Sequence, residues 1–390
     1  MTLQTAADGS RVEFWYAIED SAGDISATVP DFVPIRFNSA DPTRDTAQVE
    51  SAEINPSRQQ GKDKQGTFSI QGSIAAELTK GSHDYLMQAA LQSAWVSQIT
   101  MTEVTISAVA ADNSYNDTGS AFITNGFRVT DLVTVEGFTG DTVNNLIDAK
   151  VTALTAGKMT IGGTEGDVIV DDAAGESVTI KTAGDYLEVG LTVPTISLLR
   201  RNKDTGVDVI YRHNRVSDLA FAVVLDQSAL ITANIIGETM EIYTVPGGST
   251  FAAVTTTEMM VPTVGSMQDA KAAVTFLTDY NVAFTNQMEA NFALFQRGAH
   301  SVSNGNFKAS GSMSAYQPDA VLLTKFINET GSDHVVKLID DAGAWYRIIL
   351  PDVGYITLSD PVSGPGKHIH SYGFSAGYDG TTTVRLERSI

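Results

Sequence analysis

Two histidines near the C-terminal end of the chain are its first candidates for metal binding. His368 and His370 stand two residues apart, so both imidazoles would lie on the same face of a β-strand. A protein site for a transition metal ion usually has three or four ligands, and no further histidine or acid stands close to the pair in sequence. We therefore interpret the pair as part of the normal alternation of a strand, and the sequence predicts neither a bound metal nor a cofactor.

A run of oxygen-bearing side chains loosely resembles a calcium-binding loop. Such loops place oxygen ligands at alternating positions, followed by a bidentate glutamate at the twelfth position. Here Gly119 is out of step with the glycine of such loops, and the twelfth position is Ile123, which cannot bind calcium. We therefore expect no calcium site. The run comprises Asp112, Ser114, Asn116 and Asp117.

Pairs of adjacent acids offer the carboxylates that glycoside hydrolysis requires. Asp171–Asp172 and Asp340–Asp341 both lie in Gly-rich, turn-like stretches, where adjacent acids are usually solvated. The chain also has no phosphate-binding loop, no H-E-x-x-H motif and no G-x-S-x-G motif. Trp15, Trp95 and Trp345 stand within apolar patterns, which indicates core positions and not a stacking platform. We therefore predict that the protein is not an enzyme.

Composition narrows the class of the protein. The 390 residues favour two or three domains, and their net charge of −21 opposes binding to the phosphate backbone of nucleic acids. The absence of cysteine excludes disulfides and thiolate metal sites. The most apolar stretch, residues 219–236, is interrupted by Asp226 and Gln227, so it is not a membrane span. We expect a soluble protein that is made in a reducing cytoplasm and does not contact membranes.

Period-two alternation of apolar residues predicts a mainly β fold. Residues 12–19 alternate in this way, and residues 273–295 predict one long hairpin. Residues 103–187 consist of short strand patterns separated by Gly, Asn and Asp, and they hold 13 acids and 4 bases, a net charge of −9. We interpret this segment as an inserted all-β module. Residues 262–265 predict a break near the joint between two domains.

A nine-residue pattern, G-x-F-x-x-x-G-S-[Ile/Met], occurs twice at an offset of 239 residues. A short helical pattern with the same apolar spacing follows each copy, at Tyr85 and at Leu322. Ser82 can cap the first helix, which should end near Trp95, and Pro318 suits the first turn of the second. Because strand and helix match independently, we interpret the chain as a duplicated domain. The motif residues are Gly66, Phe68 and Gly72 in the first copy and Gly305, Phe307 and Gly311 in the second.

Several stretches resemble the tail tube proteins of long-tailed, non-contractile bacteriophages. The resemblance covers most of the first half of the chain and reaches the second half mainly through the repeat. Its motifs are patterns of strand and turn and contain no reactive residues. The stretches are residues 16–23, 49–54, 66–73 and 84–87, together with residues 126–138, which look like the small β-domain that some of these proteins carry.

The resemblance implies a specific domain organisation. It predicts two tandem antiparallel β-sandwich or half-barrel domains, each with one short flanking helix. The first tube domain would comprise residues 1–102 and 188–258, the inserted β-domain residues 103–187, and the second tube domain residues 259–390. Single-copy members form hexameric rings that stack into a hollow tube, so a fused double copy implies a trimeric ring with pseudo-sixfold symmetry.

The resemblance also implies partners and a location. The chain would bind copies of itself within and between rings, and would meet the tape measure, tail terminator and distal tail proteins. DNA would pass through an acidic lumen during ejection. The protein would be assembled in the host cytoplasm and reside in the virion tail.

A polar loop, residues 57–65, is the candidate assembly loop of the first copy. In tube proteins a loop at this position reaches the adjacent subunit or ring, and its counterpart in the second copy would be residues 297–304. An idle hairpin loop is the alternative. The candidate assembly residues are Arg58, Lys62, Asp63 and Lys64.

Two other functions remain open at this point. Another ring-forming tail component, such as a tail terminator or a baseplate hub-like protein, would share the fold but stop at a single ring. A carbohydrate-binding or hydrolysing β-protein would need a cleft with clustered aromatic residues or a carboxylate pair, and neither stands out.

Overall fold

The computed structural model describes residues 8–20, 24–25, 30–53, 56–57, 59, 61–162, 167–316, 319–361 and 368–390. These residues form 28 β-strands and two α-helices, which confirms the prediction of a mainly β fold. Neither helix is long and apolar enough to cross a membrane.

The elements follow one another in three stretches of the chain. The N-terminal stretch contains β1 (Val12–Ile18), β2 (Asp31–Ile35), β3 (Ser39–Ala40), β4 (Thr43–Val49), β5 (Lys64–Glu77) and α1 (Asp84–Leu91). The middle stretch contains β6 (Thr100–Glu103), β7 (Ile106–Val109), β8 (Ser114–Asp117), β9 (Leu132–Glu136), β10 (Ala149–Leu154), β11 (Lys158–Gly162), β12 (Val178–Thr182) and β13 (Asp185–Glu188). The C-terminal stretch contains β14 (Ile196–Asn202), β15 (Val207–Val224), β16 (Leu230–Gly237), β17 (Thr239–Tyr243), β18 (Thr250–Phe251), β19 (Val261–Asp269), β20 (Ala272–Ala273), β21 (Leu277–Thr285), β22 (Glu289–Asn291), β23 (Ser301–Ser303), β24 (Lys308–Tyr316), α2 (Val321–Ile327), β25 (Ser332–Ile339), β26 (Trp345–Ser359), β27 (Ile369–Ala376) and β28 (Arg385–Arg388).

Two compact units divide these elements. The predicted insert lies in the second unit, and the predicted second tube domain contributes segments to both. The compact units are groups of residues in mutual contact, whereas the predicted domains are repeats along the sequence. The units therefore do not test the predicted domain boundaries, which stay a prediction. The first unit comprises Met1–Ser93, Gly190–Met260 and Tyr280–Ser310, and the second comprises Ala94–Val189, Val261–Asp279 and Gly311–Ile390.

One long strand, β15, organises the sheet of the first unit. Its first half pairs antiparallel with β14 and β17, and its second half pairs with β16. Strand β16 pairs in turn with β5, which pairs with β4 on its other edge. The register of β15 with β16 shifts between Val216 and Asp218, a local irregularity that bends a strand. Helix α1 packs against β15 and buries Leu86 and Ala90.

Strand β26 has the same role in the second unit. Its first half pairs with β25 and β28, and its second half pairs with β27, which pairs with β24. The register of β26 with β27 shifts between Tyr355 and Thr357, as that of β15 does with β16. The order β5–β16–β15–β14 therefore recurs as β24–β27–β26–β25. The two copies of the sequence motif begin within or just before equivalent strands, β5 and β24.

The predicted ends of the first helix are wrong. The Ser82 hydroxyl is hydrogen-bonded to that of Thr79 at 2.9 Å and gives α1 no cap, and the cap position is occupied by His83. Helix α1 ends at Leu91 because Gln92 adopts a left-handed conformation with φ 55°. The predicted helix start at Pro318 lies outside the described residues.

The predicted hairpin over residues 273–295 is also wrong. Strand β22 pairs with β23 and not with β21. The amide of Asn286 donates to the carbonyls of Ala90 and Val216, at 2.8 and 3.2 Å, which fixes the chain where β21 ends. The break predicted at residues 262–265 lies inside β19, whose register with β25 is irregular at this point.

The predicted insert contains a separate antiparallel sheet. Seven strands pair in the order β6–β12–β9–β10–β11–β8–β7. The aromatic side chains of Tyr115, Phe122 and Phe138 are fully buried in its core. The Tyr115 hydroxyl donates to the carbonyl of Asn144 at 2.6 Å, which satisfies the one polar atom of that ring. The segment therefore has a hydrophobic core of its own.

Buried arginines connect this seven-stranded sheet to β26 and β28 within the second unit. The Arg385 guanidinium lies 2.5 Å from the Asp131 carboxylate and 2.9 Å from that of Glu387. Arg347 lies 2.5 Å from Glu387 and 2.7 Å from Asp148. Four of the five side chains are almost completely buried, so water does not screen these charges.

The charges of this cluster depend on one another. Burial acts to lower the pKa of Arg385, but Glu387 and Asp131 outweigh it and raise that pKa. Burial raises the pKa of Asp131 by more than Arg385 lowers it, which reflects the desolvation cost of a buried ion pair. The loss of one partner would leave an uncompensated charge in the interior.

We predict that Arg385→Ala lowers the free energy of unfolding by about 3–5 kcal/mol, because Asp131 and Glu387 lose their counter-charge. Urea-induced unfolding measures this change. The control is Lys181→Ala, which removes an exposed ion pair with Glu136 and should cost about 0–1 kcal/mol. Equal effects of the two substitutions would contradict the interpretation.

His334 is a second buried ionisable group of the second unit. Its side chain is fully buried, with Nε2 2.9 Å from the Tyr355 hydroxyl and the ring edge-on to Phe374 at 4.9 Å. Burial lowers the pKa of His334 from 6.5 to about 4, although Asp269 acts in the opposite direction. The folded chain therefore keeps this imidazole neutral where an unfolded chain protonates it.

We predict that stability falls as the pH is lowered from about 6.5 to about 4, because only the unfolded state binds the His334 proton in this range. Binding of this proton by the unfolded state should lower the free energy of unfolding by about 3 kcal/mol in total between pH 6.5 and pH 4. Urea unfolding at pH 7 and pH 5 of the unaltered chain and of His334→Gln measures it. The variant should show a smaller loss between the two pH values, and an equal loss would rule out His334 as the cause.

Candidate assembly site

The predicted assembly residues of the first copy lie on the surface. Lys62 and Asp63 are exposed in the segment before β5, and Lys64 is the exposed first residue of that strand. Arg58 lies outside the described residues. The assembly role of these residues stays a prediction.

The predicted counterpart loop of the second copy, residues 297–304, lies within a longer connection, residues 286–307, which belongs to the first unit. Asn286 anchors its start through α1 and β15, and the Gly305 amide donates to the Asn286 carbonyl at 2.9 Å. Near its middle, the Arg215 guanidinium donates to the Val302 carbonyl at 2.5 Å. The Asn304 amide donates to the Gln92 side chain at 3.2 Å. Polar contacts therefore hold both ends of the loop in place.

The same loop extends the edge of β5. The Phe68 amide donates to the Arg297 carbonyl at 2.8 Å, and Phe68 forms a parallel bridge with Gly298. The Arg297 side chain also donates to Gln65 at 3.2 Å. Strand β16 pairs with β5 only from Ile70 onwards, so the loop occupies the part of the β5 edge that β16 leaves open. Addition of a backbone segment to a free strand edge is a common mode of protein association.

The tip of the loop carries large apolar side chains. Phe292, Leu294 and Phe295 are 49%, 86% and 104% exposed, and Phe295 has a φ of 71°. A left-handed backbone at a bulky residue is uncommon and costs energy. Burial of a Leu or Phe side chain contributes about 1.5–3 kcal/mol, so this tip has much to gain from covering by a partner.

The repeat motif residues have packing roles in the structure. A Cβ atom at Gly72 would lie 2.6 Å from the Asp41 carbonyl oxygen, and one at Gly305 would lie 2.7 Å from that of Gln287. Only glycine allows these close approaches. Gly66 is less crowded, with the Ala47 carbonyl oxygen at 3.3 Å from the added Cβ.

The two motif phenylalanines lie in different surroundings. The Arg44 guanidinium stacks over the Phe68 ring at 3.6 Å, whereas the Phe307 ring lies 6.1 Å from that of Phe284. Gly311 lies within β24. The structure therefore places the first motif within β5 and the second across the start of β24.

The calcium-like run is used for turn formation. Oxygens of Asp117 accept hydrogen bonds from the Thr105 hydroxyl at 2.6 Å and from the amides of Gly119 and Ala121 at 2.9 Å. Burial raises the pKa of Asp117, but these hydrogen bonds outweigh it and lower the pKa. Asp112 forms an ion pair with Lys158 at 2.6 Å. Both carboxylates therefore have partners within the protein.

At least one acid of each pair accepts a backbone hydrogen bond. Asp340 accepts from the Ala344 amide at 2.7 Å, and Asp171 accepts from the Ala110 amide at 2.7 Å. Trp15 is buried as predicted, with 8% exposure. Trp95 and Trp345 are only half-buried and lie under cations, with the Arg388 guanidinium 4.5 Å from the Trp95 ring.

The histidine pair has a third neighbour that the sequence interpretation missed. Asp360, at the end of β26, lies with Oδ1 2.5 Å from His368 Nε2 and 3.2 Å from His370 Nε2. The signal that could have revealed this neighbour is the hairpin of β26 and β27. The end of the first strand of a hairpin lies beside the start of the second, so an acid after β26 and histidines at the start of β27 come together. An acid therefore lies beside the pair in space, although none stands close to it in sequence.

Comparison with known protein families identifies the family of this chain. A family model described as phage tail tube protein matches residues 9–376. The chain belongs to this family. The match confirms the resemblance stated from the first half and extends it through the second half. No curated protein matches the chain.

Membership of the tail tube family agrees with what the site offers. The protein is a structural component of a phage tail, and such a protein functions by association with itself and with other tail components. The tip of residues 286–307 and the polar segment before β5 are both exposed.

We predict that replacing both Leu294 and Phe295 by Ser leaves the thermal unfolding temperature of the dispersed chain unchanged within about 2 °C, because both side chains are exposed. Self-association should need at least tenfold more protein, since two apolar side chains no longer become buried. Sedimentation velocity over a range of concentrations measures this. Ile242→Ser, which removes an isoleucine that is 81% exposed elsewhere, is the control. Unchanged association of the double variant would contradict the assignment.

Proposed function

We propose that the protein is the repeating subunit of a phage tail tube, in which three chains form one ring and rings stack into a hollow tube. Each chain would supply two similar wedges, so that three chains give a ring with pseudo-sixfold symmetry. The protein would carry out no bond chemistry, and its function would be self-assembly.

The observation that carries this proposal is the recurrence of one strand order. The series β5–β16–β15–β14 of the first unit returns as β24–β27–β26–β25 in the second, with register shifts at corresponding places. A short helix follows the first strand of each series. A closed ring of six similar blocks can be made from three chains if each chain supplies two blocks with the same connectivity.

The loop contacts suggest how neighbouring wedges would join. Residues 286–307 of the second copy complete the edge of β5 in the first copy, through Arg297 and Phe68. The repeat offset of 239 residues, from Gly66 to Gly305, relates Arg297 to Arg58 and Phe68 to Phe307. We infer that Arg58 and its neighbours of one chain complete the edge of β24, near Phe307, in the next chain of the ring. The last chain would then close on the first.

The strong negative charge supports a role in DNA passage. A net charge of −21 makes a channel lined by this protein repel the DNA backbone, so DNA would slide during ejection without binding. The tape measure protein would fill the lumen before ejection, and the tail terminator and distal tail proteins would bind the ends of the tube. Assembly would take place in the host cytoplasm, and the protein would end up in the virion tail.

The proposed division into domains follows from the same symmetry. Residues 1–102 with 188–258 would form one wedge, and residues 259–390 the other. The insert, residues 103–187, would project from the outer face of the ring, where an additional domain meets no neighbouring wedge.

Electron microscopy of the purified full-length chain tests the proposal. We predict long hollow tubes for the unaltered chain and none for a chain in which residues 57–63 are replaced by Gly-Ser-Gly, because the backbone of this loop would complete the ring contact. Lys203→Ala, which removes an exposed ion pair with Glu13, should form tubes normally. Circular dichroism on all three proteins controls for folding.

The other outcomes distinguish the competing functions. Single rings that do not stack would indicate a tail terminator or baseplate hub-like component. Dispersed monomers that bind glycans would indicate a carbohydrate-binding protein. Normal tubes from the chain with residues 57–63 replaced would refute the proposed loop exchange while leaving the tube assignment intact.

A further inference from the structure

A compact cluster of metal-ligating side chains lies at one end of the hairpin formed by β26 and β27. Asp360 follows the last residue of β26, and His368 and His370 stand at the start of β27. All three belong to the second unit. No other group of three or more His, Cys, Asp or Glu with ligand atoms this close occurs in the part of the chain that the structure describes.

Two distances in the cluster are close to those between the ligands of a tetrahedral metal ion. His370 Nε2 lies 3.2 Å from Asp360 Oδ1 and 3.3 Å from His368 Nδ1. With metal–ligand bonds of about 2.0–2.1 Å, the ligands of tetrahedral zinc stand roughly 3.3–3.4 Å apart. The second ring nitrogen of His368 is also within reach of Asp360, at 2.5 Å. Small side-chain rotations would therefore place one atom of each residue on a common ion.

The surroundings of His370 resemble those of a metal ligand. The imidazole is 2% exposed, and its Nδ1 lies 3.4 Å from the hydroxyl of the buried Tyr372. If Nδ1 donates its proton to this hydroxyl, the lone pair is left on Nε2, which faces Asp360. A hydrogen bond of this kind typically orients a metal-bound histidine.

The site also has access to further ligands. The side chains of Asp360 and His368 are 47% and 40% exposed, so an ion can enter from solvent. Three protein ligands and one water would give a complete tetrahedral shell.

We propose that Asp360, His368 and His370 bind a divalent transition metal ion, for which zinc is the best match. Two imidazoles and one carboxylate are ligands that suit zinc and related ions, and they exclude calcium and magnesium, which prefer oxygen alone. The ion would close the connection between β26 and β27 and would stabilise the long strand on which the second unit is built. This inference does not depend on tube formation, because the cluster lies within one chain.

Zinc binding to the tag-free full-length chain tests the proposal. Isothermal titration calorimetry should give one zinc ion per chain, and cobalt in place of zinc should give the visible absorption of a tetrahedral complex. Asp360→Asn and His368→Gln alter exposed side chains and should leave the fold intact. Each should weaken zinc binding by at least about tenfold. Zinc should raise the thermal unfolding temperature of the unaltered chain and not that of either variant.

Matched controls separate this site from adventitious binding. His300→Gln removes an exposed imidazole, and Asp341→Asn removes an exposed carboxylate, both away from the cluster. These variants should bind zinc like the unaltered chain. The proposal is overturned if the unaltered chain binds no zinc, if both cluster variants retain full affinity, or if the controls lose as much affinity as the cluster variants.

Discussion

The structure depends on the backbone pairing of two long strands, β15 and β26, each of which serves two sets of neighbours. The first half of β15 pairs with β14, and its second half pairs with β16, which pairs in turn with the motif strand β5. The first half of β26 pairs with β25, and its second half pairs with β27, which pairs in turn with the motif strand β24. A strand of this length must bend, and both strands shift register where they change neighbours. Helix α1 packs against β15, and helix α2 packs against β26. The proposed duplication and the proposed assembly both rest on this pattern of strand pairing.

The edge of β5 is a second feature of the sheet that bears on assembly. An unpaired edge attracts another backbone, and proteins either cover such edges or use them for association. In the first unit, residues around Arg297 cover the edge of β5 at Phe68. The exposed apolar tip at Phe295 lies on the same loop. Pairing at a strand edge fixes the direction and register of an association. Burial of the apolar tip contributes free energy but no direction. One loop therefore offers both properties that a polymerising subunit requires.

Much of the fold could be predicted from the sequence, because its signals are local. Alternation predicted the mainly β fold, and the motif at Gly66 and Gly305 marked equivalent strands. The errors have a common physical cause. Strand β22 turned to β23 because Asn286 is held by Ala90 and Val216, and Asp360 joins His370 through a hairpin that sequence distance conceals. Contacts between residues far apart in sequence leave no periodic pattern.

The central claim is that one chain supplies two equivalent wedges to a closed ring, and the stoichiometry of the ring tests it most directly. Native mass spectrometry of rings released from assembled tubes counts the chains in each ring. The account predicts three chains per ring, with six similar lobes around the lumen in averaged electron microscopy images. A ring of six chains, or one whose lobes do not form two alternating sets of three, would contradict it.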